Sequence, residues 1–109
     1  MATVWTESGT SIDVEALRPG PGVPWALHLE RVNLEKNQAR FYLLSWAPTL
    51  FGWGLLRTYG RIGSWQRVMP PLPFDSPDDA WPAIRAIIKR RLRHGYRLAS
   101  QGPCRTYGT

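Results

Sequence analysis

Arg40-Phe41-Tyr42-Leu43-Leu44-Ser45-Trp46, a loop through Gly52, and then Trp53-Gly54-Leu55-Leu56-Arg57-Thr58-Tyr59-Gly60-Arg61-Ile62-Gly63-Ser64 form the stretch that decides the fold. Aromatic and aliphatic residues dominate both halves, as expected of two strands of a hairpin. Taken as a regular strand, Trp53 to Ile62 points Trp53, Leu55, Arg57, Tyr59 and Arg61 one way and Leu56, Thr58, Gly60 and Ile62 the other. Two arginines then flank a tyrosine, with side chains on that face roughly 7 Å apart. A guanidinium can fork onto a phosphate, and the neighbouring ring can pack on a sugar or base. An ordinary hairpin strand with an arginine–tyrosine surface fits the same residues. Gly60 lacks a side chain and Gly63 allows a positive φ, so a bulge or a close backbone approach is expected there.

Working outward, Trp25 to Val32 alternates Trp25, Leu27 and Leu29 with Ala26, His28 and Glu30, the period of a half-buried strand. The next strand is read as Ala39 to Trp46, and a fourth as Gln66 to Met69, ended by Pro70, Pro71 and Pro73. A helix follows. Ser76, Pro77 and Asp79 resemble a capped start, but Pro82 would then stand in the second turn. The regular helix is therefore expected from about Asp79 to His94, stopped by Gly95. Trp81, Ile84, Ile88 and Leu92 share one face, with Ile87 beside them, and Arg85, Lys89 and Arg93 lie on an adjacent one. Basic residues in the last turn also suit the helix dipole without any ligand. Residues 1–23 and 98–109 read as flexible tails, with a weak strand near Ile12–Leu17. The expected fold is α+β, an antiparallel sheet of about four strands with one long helix on one face.

The 109-residue chain supports one domain with a modest core. Its net charge of +6 is uneven: residues 1–56 carry four Lys/Arg against five carboxylates, and residues 57–109 ten against three. No acid follows Asp79. Such asymmetry favours an anionic partner. The single cysteine, Cys104, excludes an intrachain disulfide framework or a Cys-based zinc site. Met1 to Thr10 has no secretory pattern, and no apolar run reaches the ~20 residues of a membrane span. A cytoplasmic location is expected.

Enzyme signatures are missing from the sequence. His28 and His94 are far apart, Asp75, Asp78 and Asp79 suit helix capping, and there is no phosphate-binding glycine loop. No catalytic residue, metal or cofactor is expected.

Residues 25–97, about two thirds of the chain, resemble a WGR domain, named for its Trp-Gly-Arg triplet. The resemblance is carried by Leu29-Glu30-Arg31-Val32, Asn37, Arg40-Phe41-Tyr42, Leu50-Phe51-Gly52-Trp53, Tyr59-Gly60-Arg61-Ile62-Gly63-Ser64, Asp75-Ser76, Ala80 and Gly95-Tyr96. It implies an antiparallel sheet with a packed helix. In poly(ADP-ribose) polymerases such domains bind DNA near breaks and are not the catalytic part. The chain is similar to the stand-alone bacterial members. Tyr59 stands at the signature tryptophan, and Trp65 precedes Gln66 where the family usually has glycine. The resemblance implies Tyr59 and Arg61 as contact residues; the reading of the strand adds Arg57 as a phosphate ligand, and Arg85, Lys89 and Arg93 add field if the helix borders the site. The expected ligand is nucleic acid, foremost duplex DNA at ends or nicks. A protein partner on the same surface is the second reading.

Overall fold

The computed structural model describes residues 3–6, 9–20, 22, 24–50 and 52–103, the last three by their backbone. Along the chain it places β1 (Thr3–Trp5), β2 (Ser11–Asp13), a 3-10 turn (Val14–Leu17), β3 (Trp25–Asn33), β4 (Gln38–Thr49), β5 (Gly52–Arg61), β6 (Gln66–Val68), β7 (Leu72–Pro73), α1 (Pro77–Arg93) and β8 (Arg97–Pro103). The architecture is α+β. A six-stranded sheet runs β6-β5-β4-β3-β8, with β7 also pairing β5, and β1 and β2 form a separate ribbon.

The sheet has more strands than the four expected. β7 is only two residues long, too short to show a pattern. β8 falls where a loose tail was expected from residue 98. Its Gly102 and Pro103 argue against a strand taken locally, but the free edge of β3 supplies partners from Trp25 to Glu30. A register shift between His28 and Leu29 accommodates one extra residue, Ala99. Residues 104–109, the rest of that expected tail, lie outside the described residues.

The expected N-terminal tail is likewise corrected. Val4, Val14 and Leu17 are buried in the core. Asp13 caps the 3-10 turn by accepting from the Glu15 amide at 3.1 Å. Glu15 then accepts from Trp81 Nε1 and from Arg85, both at 3.1 Å. Arg18 pairs with Asp78 and lies over the Trp81 ring. Pro19, Gly20, Gly22 and Pro24 therefore lie in the connection to β3, and the ordered β1, β2 and 3-10 turn come ahead of them.

β4 continues past Trp46 through Pro48. β3 begins at Trp25, opposite Trp46, so beyond that row β4 has lost one neighbour and tolerates a proline. Thr49 pairs with Gly52, which makes the β4–β5 connection a two-residue turn. Gly52 holds φ 104°, a left-handed conformation that suits glycine.

α1 begins earlier than expected. Ser76 is its N-cap, accepting from the Asp79 amide at 3.1 Å, and Pro77 is in the first turn. Pro82 stands inside the helix, exposed, with the capped start retained. The stop is as expected. Gly95 (φ 88°) donates to the Leu92 carbonyl and Tyr96 to that of Arg91, both at 3.1 Å, which is a Schellman ending. Ala80, Trp81, Ile84 and Ile88 are buried in one cluster with Trp25, Leu27 and Leu29 of β3, Leu44 and Trp46 of β4, and Leu55 of β5. The core thus lies between α1 and one face of the sheet.

Candidate functional site

The strand registers set residues of β3, β4 and β5 side by side in rows on the face that carries the core. Trp25, Trp46 and Leu55 form one row, Leu27, Leu44 and Arg57 the next, Leu29, Tyr42 and Tyr59 the third, and Arg31, Arg40 and Arg61 the last. Apolar side chains thus give way to arginines toward the Asn33–Gln38 end and the β5 margin. Arg57, Tyr59 and Arg61 share this face, as the strand reading expects, and all three are half-buried. Tyr59 packs against the core.

The Arg31–Arg40–Arg61 row sets like charges directly opposite one another, an unfavourable arrangement for an isolated sheet. β6 adds Arg67, opposite Tyr59. From above, α1 adds Arg91, whose guanidinium carbon lies 4.9 Å from the Tyr42 ring centre and 5.8 Å from that of Tyr96. Among the described residues none of these six arginines forms an ion pair with a carboxylate. The Nε atoms of Arg57 and Arg91 are buried and lack a hydrogen-bond acceptor.

Aromatic rings line the same ground. Tyr42 and Tyr59 are stacked with centroids 6.2 Å apart, and Trp65 meets Tyr59 edge-on at 6.4 Å. Trp65 is 52% exposed. Cations over such rings gain cation–π attraction while keeping donors for an anion.

The triplet residues also have framework duties. A Cβ on Gly60 would lie 2.2 Å from the Trp65 carbonyl oxygen and 2.7 Å from the Gln66 Cα. Only glycine lets β6 approach β5 this closely. Arg61 donates to the Asn37 carbonyl at 3.1 Å and to its Oδ1 at 3.2 Å. Asn37 has φ 51°, so Arg61 fastens the left-handed corner of the β3–β4 turn.

The helical cations expected to add field do not converge with this group. Ile84 and Arg91 occupy the flank of α1 toward Tyr42, whereas Arg85, Lys89 and Arg93 run along the other flank. Arg85 is tied to Glu15 of the N-terminal segment. Arg93 shares a hollow of about 400 Å³ with Thr3, Trp5, Leu92 and Arg97. Lys89 is exposed.

Arg31, Arg40, Arg67 and Arg91 were missed in the sequence. Arg31 and Arg40 belong to a half with net negative charge, and only the register joins them to Arg61. Arg91 lies among Arg90, Arg91 and Arg93, and nothing local says which one meets the sheet. A hollow of about 670 Å³ lined by Pro48, Leu50, Leu56 and Pro73 lies at the β4–β5 hairpin end, away from the arginines. Among the described residues no group of His, Cys, Asp or Glu side chains could hold a metal, and no helix is long and apolar enough to cross a membrane.

Comparison with known proteins gives two findings. The family model described as WGR domain matches residues 25–103. An uncharacterized protein of Sinorhizobium fredii, y4dW, is 36% identical over 75 residues, covering 68% of this chain and 36% of that protein. The chain therefore spans about a third of the length of that relative. No solved structure gives a significant match.

Proposed function

The chain belongs to the WGR domain family, a nucleic-acid-binding type of module, and from that premise we propose that it is a small non-catalytic module for duplex DNA, engaged at ends or nicks through phosphate contacts. The observation that carries this reading is an arginine tract with no carboxylate partner among the described residues: Arg31, Arg40 and Arg61 in one cross-strand row, with Arg57, Arg67 and Arg91 beside it. Like charges gathered without carboxylates are relieved by an external polyanion. Tyr59 and exposed Trp65 offer faces for a sugar or an unstacked base at an interruption. The proposed binding is to shape and phosphate, without base-specific readout.

Fluorescence anisotropy with a 5′-phosphorylated duplex across a salt series tests the proposal. Binding that weakens with salt, with a slope of about −0.9 per neutralised phosphate, is the expected result. Absence of binding at low salt refutes it. A protein partner on the same surface is the second reading, favoured by the exposure of Trp65 beside arginines, since Trp, Tyr and Arg are typical interface anchors. It predicts no duplex binding and loss of the partner complex in Trp65→Ala.

A further inference from the structure

The signature arginine is the obvious phosphate ligand of the triplet, but its geometry here commits it elsewhere. Two of its five N–H donors are used on Asn37, where they brace a turn. Arg57 and Arg91 are in the opposite condition. Their Nε donors are buried without an acceptor, and among the described residues no group takes a hydrogen bond from either guanidinium, so their terminal nitrogens stay uncommitted.

Arg57 stands opposite Leu44 in β4, and Arg91 lies over Tyr42, two residues along that strand and roughly 7 Å away on the same face. Arg67 stands opposite Tyr59, the ring stacked on Tyr42. The three arginines thus surround one tyrosine pair from β5, β6 and α1. None has a carboxylate partner among the described residues.

We infer that Arg57, Arg67 and Arg91 form a phosphate seat separate from the signature arginine, and that Arg61 is a positioning residue whose work is to hold the β3–β4 turn. The seat takes one phosphate group of a polynucleotide; to that extent the inference rests on the nucleic-acid reading above. Its chemistry is that of fork-shaped donors converging on a tetrahedral oxyanion.

Two measurements test the seat. The first is the melting temperature in inorganic phosphate against chloride at equal ionic strength, for the native chain and for Arg57→Gln, Arg67→Gln, Arg61→Gln and Lys89→Gln. Phosphate stabilises proteins generally by exclusion from their surface, so the informative quantity is the gain that one variant loses and another keeps. The seat predicts that Arg57→Gln and Arg67→Gln lose part of the gain, whereas Arg61→Gln melts lower but keeps it and Lys89→Gln is unchanged. Equal gains in all chains overturn the inference, as does a loss confined to Arg61→Gln. Exposed Arg67 serves where substitution of half-buried Arg57 impairs folding.

The second is the salt slope of duplex binding. Arg57→Gln and Arg67→Gln each reduce its magnitude by up to about 0.9, the share of the one phosphate they hold, and Arg61→Gln reduces it less. A larger reduction in Arg61→Gln returns the seat to the signature arginine. A chain that gains from phosphate through Arg57 and Arg67 but ignores duplex keeps the seat as a site for free phosphate. In that case it is the duplex reading that fails.

Discussion

Gly60 shows how a signature residue can be structural. Its missing side chain leaves the space taken by the Trp65 carbonyl. Gly60→Ala is expected to destabilise the fold by about 1–3 kcal/mol through overpacking, measured by urea denaturation. Gly63 has open space around its Cβ direction but φ 74°, so Gly63→Ala is expected to cost about 1 kcal/mol through backbone strain alone. Both glycines were legible in the sequence as points of close approach or unusual φ. The role of Arg61 toward Asn37 was not, because the two are 24 residues apart and meet through the register. Substitution of Trp65 for a small residue also acquires a physical sense. It supplies an edge contact to Tyr59, the smaller ring at the signature aromatic position.

At the scale of the element, strands β3 to β5 could be read from alternation, because each has one face in the core. The helix face could be read from its spacing. Its start could not, because the penalty of Pro82 was weighed against a single cap. The structure adds the burial of Ala80 and Trp81 to the Ser76 cap, and together these outweigh one lost hydrogen bond. Pro82→Ala restores an N–H to the helix and is expected to raise stability by up to about 3 kcal/mol, read as a higher urea midpoint at unchanged slope. The flank of α1 that would border the site was equally hidden. Arg85, Lys89 and Arg93 make the more regular series, yet Arg85 is held by Glu15 of the N-terminal segment, and it is Arg91 that lies over Tyr42. Glu15→Ala removes the acceptor shared by Trp81 and Arg85. Faster amide exchange across Val14–Leu17 is the expected result, with the α1 amides near Ile88 little changed.

Over the whole molecule, the match to the family starts at residue 25, but the core starts at Val4. Val4, Val14 and Leu17 each bury a full aliphatic side chain. At about 1.5–3 kcal/mol per side chain, their loss would remove on the order of 5 kcal/mol, comparable with the entire stability of many small domains. A chain beginning at residue 19 is therefore expected to unfold at a much lower temperature in calorimetry. Composition alone did not reveal this dependence, because the buried Val4, Val14 and Leu17 are scattered among turn-forming residues.

The helix orientation has a further electrical consequence. Asp75, Asp78 and Asp79 cluster at its start, while Arg90, Arg91 and Arg93 occupy its last turn, so the side chains oppose the backbone dipole and, as full charges against its half charges, outweigh it. In the field of a nearby polyanion such a molecule experiences a torque as well as an attraction. It turns its helix C-terminal pole forward before touching anything, and fewer encounters begin in the wrong orientation.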